Sequence, residues 1–81
     1  MTVRWRTASN QGLRGFNLYR VVNGRRVKVN RSLIRSRESR GTSYSFRYRV
    51  ARRNKAPNRF WLETIHLDGA RACARFESGS G

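Results

Sequence analysis

Ordinary catalytic chemistry has little to work with in this chain: one thiol (Cys73), one imidazole (His66) and four carboxylates (Glu38, Glu63, Asp68 and Glu77) among 81 residues. A structural zinc site wants four ligands, which one cysteine and one histidine do not supply. Cys73 and His66 form a nucleophile–base pair on paper. However, Cys73 stands among alternating alanines and arginines with no oxyanion-hole motif beside it, and it reads as an inert thiol. Glu63 falls in a strand-like run and Asp68 in an Asp-Gly turn, so both have structural explanations. A phosphate-cradling Gly-x-x-x-x-Gly-Lys loop is absent. The expectation is a binding module, with no enzymatic activity and no cofactor.

The chemistry that is abundant is cationic. Lysine and arginine total 19 against the four acids, for a formal charge of +15, and only Lys28 and Lys55 are lysine. A GC-rich genome favours arginine codons over lysine codons, but that does not explain the scarcity of acids. Charge this far from zero repels itself in the compact state, and a neutralising partner relieves the repulsion. The arginine fork grips phosphate, sulfate or carboxylate through paired hydrogen bonds, where lysine offers a point charge. The expected partner is therefore a polyanion: nucleic acid, acidic polysaccharide or an anionic surface. The alternatives are an acidic protein surface met within a larger assembly, and a spacer whose charge serves no partner.

These side chains need elements to hold them, and the dominant pattern is alternation with period two. Val3, Trp5 and Thr7 share one face, with Thr2, Arg4 and Arg6 on the other. Phe16 to Val22 leads into Asn23-Gly24, a hairpin signal because both residues tolerate positive φ. Val27 and Val29 then alternate with Arg26, Lys28 and Asn30. Arg31 to Thr42 reads as a loop anchored by Leu33 and Ile34. Tyr44, Phe46, Tyr48 and Val50 oppose Ser45, Arg47 and Arg49. A basic connection follows, then a strand over Phe60 to Leu67, the turn Asp68-Gly69, and a last strand with Ala70, Ala72, Ala74 and Phe76 on one face. Short strands separated by turn signals predict an all-β sandwich or small barrel. Residues 1–77 make one domain, and Ser78-Gly79-Ser80-Gly81 reads as a flexible linker or cloning remnant. No apolar run is long enough to span a membrane, and Thr2 to Thr7 alternates like a strand instead of forming a signal peptide.

Several pieces resemble a fibronectin type III-like module of bacterial surface and secreted proteins. They are Trp5, Thr7, Ala8 and Ser9; then Gly15, Phe16, Leu18, Tyr19 and Arg20; then Asn30, Leu33 and Ile34; Tyr44 and Phe46; and Leu62, Glu63, Ile65, Leu67, Asp68 and Gly69. The resemblance implies a fibronectin type III/immunoglobulin-like sandwich of two sheets, non-catalytic, secreted or at the cell surface, serving as spacer, adhesion or presentation module. The chain departs from the family pattern where Asn10 and His66 replace acids and where Arg47-Tyr48-Arg49 replaces an acidic turn. The family's first strand has no counterpart here, which implies either a truncated start or an open sheet edge beside Thr2 to Thr7, such an edge being a hazard or a docking place for a strand from elsewhere.

That topology also makes the strands holding Arg4, Arg6, Arg47 and Arg49 neighbours, with all four arginines gathered in a compact outward grid. Isolated, such residues merely keep a face wet; four together in a chain of +15 favour an anion site. A second cluster, expected in loops, comprises Arg25, Arg26, Lys28, Arg31, Arg35, Arg37 and Arg40. Arg52, Arg53, Lys55 and Arg59 form a third. Trp61 is a candidate for stacking on single-stranded bases, with burial or cover by an arginine stem the more ordinary expectation.

Overall fold

The computed structural model describes residues 1–7, 9, 11–36, 43–49 and 59–77. They form seven strands: β1 (Thr2–Arg6), β2 (Leu13–Val22), β3 (Arg25–Lys28), β4 (Ile34–Arg35), β5 (Ser43–Arg47), β6 (Arg59–His66) and β7 (Arg71–Glu77). β1 pairs with β5 in a two-stranded sheet, and the other five strands form a second sheet in the order β3-β2-β6-β7, with β4 also against β2. Every pairing is antiparallel. The expected all-β sandwich is what the chain forms.

Alternation decides what lies between the layers. Val3 and Trp5 from β1 and Tyr44 from β5 meet Leu13, Phe16, Leu18 and Phe60 from the larger sheet. Trp5 stacks on Tyr44 with ring centroids 6.0 Å apart, and Phe16 fits edgewise against Trp5 at 5.7 Å. Val3, Phe16, Leu18 and Phe60 are wholly buried, each worth about 1.5–3 kcal/mol relative to exposure.

Turn chemistry sets the hairpins. Asn23 and Gly24 take φ of 50° and 77°, as the tight connection between Val22 and Arg25 requires. Beyond β3, the segment read as loop contributes a short strand. Ile34 and Arg35 pair with Phe16 and Gly15, and Ser36 N–H donates to Arg14 O at 3.1 Å. This pairing needs Gly15: a Cβ there would collide with Ile34 O and lie 2.9 Å from Leu33 Cγ. β2 accordingly starts at Leu13, three residues earlier than the alternation suggested, with a register shift between Leu13 and Gly15.

Between β3 and β4 the edge of β2 is completed by a side chain. Val29 N–H donates to Leu18 O at 2.8 Å, and Asn30 Oδ1 accepts from Leu18 N–H at 2.8 Å. The Asn30 amide donates onward to Asn17 Oδ1 at 2.9 Å and to Ser32 O at 2.9 Å. Asn17 in turn donates to Glu63 Oε1 at 2.8 Å. This chain of hydrogen bonds ties the β3–β4 connection to the centre of the larger sheet.

The smaller sheet sits off-centre. Tyr44 Oη lies 3.5 Å from Ser36 Oγ beside β4, and Tyr48 and Arg49 share a cleft with Lys28 and Val29 at the end of β3. β5 therefore overlies the β3–β4 margin, and Trp5 of β1 packs on Phe16 of β2. Ala72 and Ala74 have the inward parity of Phe76 yet are exposed. The edge of β1 away from β5 pairs with no strand among the described residues.

Candidate polyanion interface

Pairing of β1 with β5 is the arrangement on which the arginine cluster depends, and its register sets the geometry. Thr2 faces Arg47, Arg4 faces Ser45 and Arg6 faces Ser43. Met1 and Tyr48 continue the ladder: Tyr48 N–H donates to Met1 O at 2.9 Å, and the Met1 amino group donates to Tyr48 O at 2.8 Å. Because Val3 and Trp5 point inward, Arg4 and Arg6 point outward, and Arg47 and Arg49 keep the same parity on the β5 side; all four are exposed.

No arginine directly faces another across the pair, so the four do not make a compact grid. The register sets Arg6, Arg4 and Arg47 on a diagonal stripe, and Arg49, two residues past the end of β5, extends it by parity. Steps along a strand are about 6.5–7 Å and the diagonal crossing about 7–8 Å, giving a line about 20 Å long. Such a line follows an extended chain of charges better than it surrounds one ion. Arg6 Nε donates to Ser43 Oγ at 3.3 Å, which holds the first guanidinium down on the sheet.

Among the described residues one ion pair is present, Arg71 with Glu63 at 3.5 Å. Glu63 also accepts from Asn17 and from Tyr19 Oη, and its carboxyl is held below the usual range, first by the Asn17 hydrogen bond and then by Arg71 and Tyr19, against desolvation. Burial and the neighbouring Glu63 raise the Tyr19 phenol. Asp68 is occupied too, its Oδ1 accepting Ala70 N–H at 2.9 Å. Neither acid is on the striped sheet.

The second cluster is corrected in its placement. Arg25, Arg26 and Lys28 belong to edge strand β3 and Arg35 to β4, while Arg31 lies in the bend between those strands. They line one margin of the larger sheet, because Asn23-Gly24 and Asn30 hold that segment in the ladder. Arg59 opens β6. Arg37, Arg40, Arg52, Arg53 and Lys55 lie outside the described residues.

Trp61 stands on the outward face in a row with Tyr19 and Arg75. Arg26 reaches across β2 to place its guanidinium carbon 3.7 Å from the Trp61 ring centroid, and Arg75 lies at 5.9 Å. The ring is thus covered by arginine, the more ordinary of its two expected fates, and one face is taken. Cys73 is a free, exposed thiol, and the described residues hold no cluster of three or more metal-ligating side chains.

Sequence reasoning passed over Arg20. It continues the inward parity of Phe16 and Leu18 along β2, faces Phe60 on β6, and is only half-exposed. The available signal was an arginine interrupting an apolar alternation.

Comparison with protein families, with curated proteins and with solved structures finds no match for this chain. No helix among the described residues is long and apolar enough to cross a membrane.

Proposed function

We propose that this domain is a non-catalytic module that binds a polyanion along the outward face of its two-stranded sheet. The observation that carries the reading is the stripe Arg6–Arg4–Arg47–Arg49 on one exposed face, with Glu63 and Asp68 engaged elsewhere. An extended sheet spaces the guanidiniums so that each meets a separate charge of the partner. Contacts of this kind position a backbone and carry no sequence code, so the preference is for charge density and extension. A fibronectin type III-like ancestry fits this reading as a neutral scaffold whose surface has been recharged.

The edge of β1 that pairs with no described strand, together with the exposed Ala72 and Ala74 of β7, favours a second reading. In it the domain is an assembly subunit that takes a strand from an acidic protein neighbour. Binding of single-stranded RNA, duplex DNA and heparin, measured side by side, separates the two. Binding of all three with affinity that falls steeply with salt is expected of the polyanion module. Failure to bind any of them at low salt overturns that reading in favour of the assembly one.

A further inference from the structure

Where the two sheets part beside β3, a cleft of about 220 Å³ opens, lined by Arg20, Lys28, Val29, Tyr48 and Arg49. Among the described residues that line it, Arg20, Lys28 and Arg49 are cations and none is an acid. Both sheets contribute: Arg20, Lys28 and Val29 come from the β2–β3 hairpin and its exit, and Tyr48 and Arg49 from the segment just past β5. The volume holds a small oxyanion with part of its hydration, since a water occupies about 30 Å³ in the liquid.

Arg20 is the residue that most needs explaining. Two steps along β2 from it, Leu18 is wholly buried, as is Phe16 before that and Phe60 across the strand pair. A guanidinium in line with core side chains loses hydration, which is costly unless an opposite charge replaces it. Among the described residues no carboxylate lines the space it enters. Its field is felt at Tyr48, whose phenol is raised by burial and drawn back down by Arg20. The Tyr48 hydroxyl spends its proton on a weak acceptor, Met1 Sδ, at 3.4 Å, leaving it free to turn toward a better one. Arg49 belongs both to this cleft and to the end of the arginine stripe.

We infer that this cleft binds one terminal phosphate or sulfate group, gripped by Arg20, Lys28 and Arg49 with the Tyr48 hydroxyl as a neutral donor. Arginine pairs with such an oxyanion through two parallel hydrogen bonds, and the ammonium of Lys28 supplies a point charge from the rim. The inference rests on the polyanion reading and gives that partner an end: its backbone follows the stripe and a terminal group enters the cleft. Because the walls come from both sheets, an occupant also staples the sandwich at the margin where it opens.

The test is a titration of the intact domain with inorganic phosphate, with inorganic sulfate and with chloride at matched ionic strength, followed by backbone NMR and by thermal midpoint. Phosphate and sulfate are expected to give saturable shifts centred on Val29 and Tyr48, and a rise in midpoint that chloride does not give. Response to both oxyanions marks a site for tetrahedral groups in general; response to one identifies the source. Lys28→Gln and Arg49→Gln, both exposed, should each weaken binding about tenfold, or about 1.4 kcal/mol. Arg14→Gln removes the same charge from exposed β2 outside the cleft and should leave binding unchanged. Shifts spread over the arginine faces without saturation, or equal weakening by Arg14→Gln, overturn the cleft. If phosphate binds here while polymers ignore the stripe, the polyanion reading fails and the cleft stands. If polymers bind and phosphate does not, the reverse holds.

Discussion

Replacing Asn30 by alanine removes the side chain that completes the edge of β2. Asn30 is 3% exposed and joins Leu18 N–H, Asn17 Oδ1 and Ser32 O through three hydrogen bonds. Truncation leaves a buried donor and two acceptors unmet, at about 1–3 kcal/mol for each group that water does not reach. Water reaches the Ser32 side of the network more readily, that bond being only part-buried, so a loss of about 3 kcal/mol is expected. For a domain of this size that lowers the thermal midpoint by roughly 12–24 °C, and it takes a large share of a total stability of about 4–12 kcal/mol. Urea unfolding at neutral pH measures the loss, and hydrogen exchange locates it, with the Leu18 amide the first to lose protection. Ser32→Ala is the control, since Ser32 gives only its backbone carbonyl to this network, and it should stay within about 0.5 kcal/mol of the parent. A loss under about 1 kcal/mol for Asn30→Ala, or unchanged Leu18 exchange, would refute the reasoning that this side chain holds β3 and β4 on β2.

Gly15→Ala drives a methyl group into Ile34 O and the Leu33 side chain; it should cost about 1–3 kcal/mol and detach β4, seen as lost protection at Ser36. Glu63 titrates below its ordinary value of 4.5, chiefly through the Asn17 hydrogen bond. A depressed carboxyl gives stability that is complete above the unfolded-state pKa and is lost as pH falls through the folded one. Stability should therefore fall with pH from about 4.5 downward, and a urea midpoint series should show Glu63→Gln to be weaker at neutral pH with a flatter acid limb.

Parity was legible in the residues; register was not. Val3 and Trp5 against Tyr44 and Phe46 show which way Arg4, Arg6, Arg47 and Arg49 point, because apolar alternation reports the buried face of each strand by itself. The offset of one strand against the other decides whether those arginines make a square or a diagonal, and it depends on how Trp5, Phe16 and Tyr44 pack together. β4 was hidden for a similar reason. Ile34-Arg35 has no alternation long enough to read, and its pairing exists because Gly15 offers a bare backbone to approach. Arg26 over Trp61 spans an intervening strand, so no spacing along the chain announces it. Arg20 stayed obscure because the same parity that buries Leu18 carries it to a margin where the facing sheet has ended, and that limit is a tertiary fact.

The central claim is that the stripe meets a line of negative charge, and salt dependence reads it directly. Each phosphate of a single strand that the protein no longer neutralises takes about 0.7 from the slope of log K against log salt, so changing Arg4, Arg6, Arg47 and Arg49 together to Gln should make it shallower by about 2.8. From 50 to 200 mM salt that difference corresponds to about 50-fold in affinity. The measurement is the binding of labelled single-stranded RNA to the parent and to the four-Gln domain across that range, with circular dichroism confirming that both are folded. A shallower slope of that size is the predicted result; identical slopes for the two proteins would contradict the account.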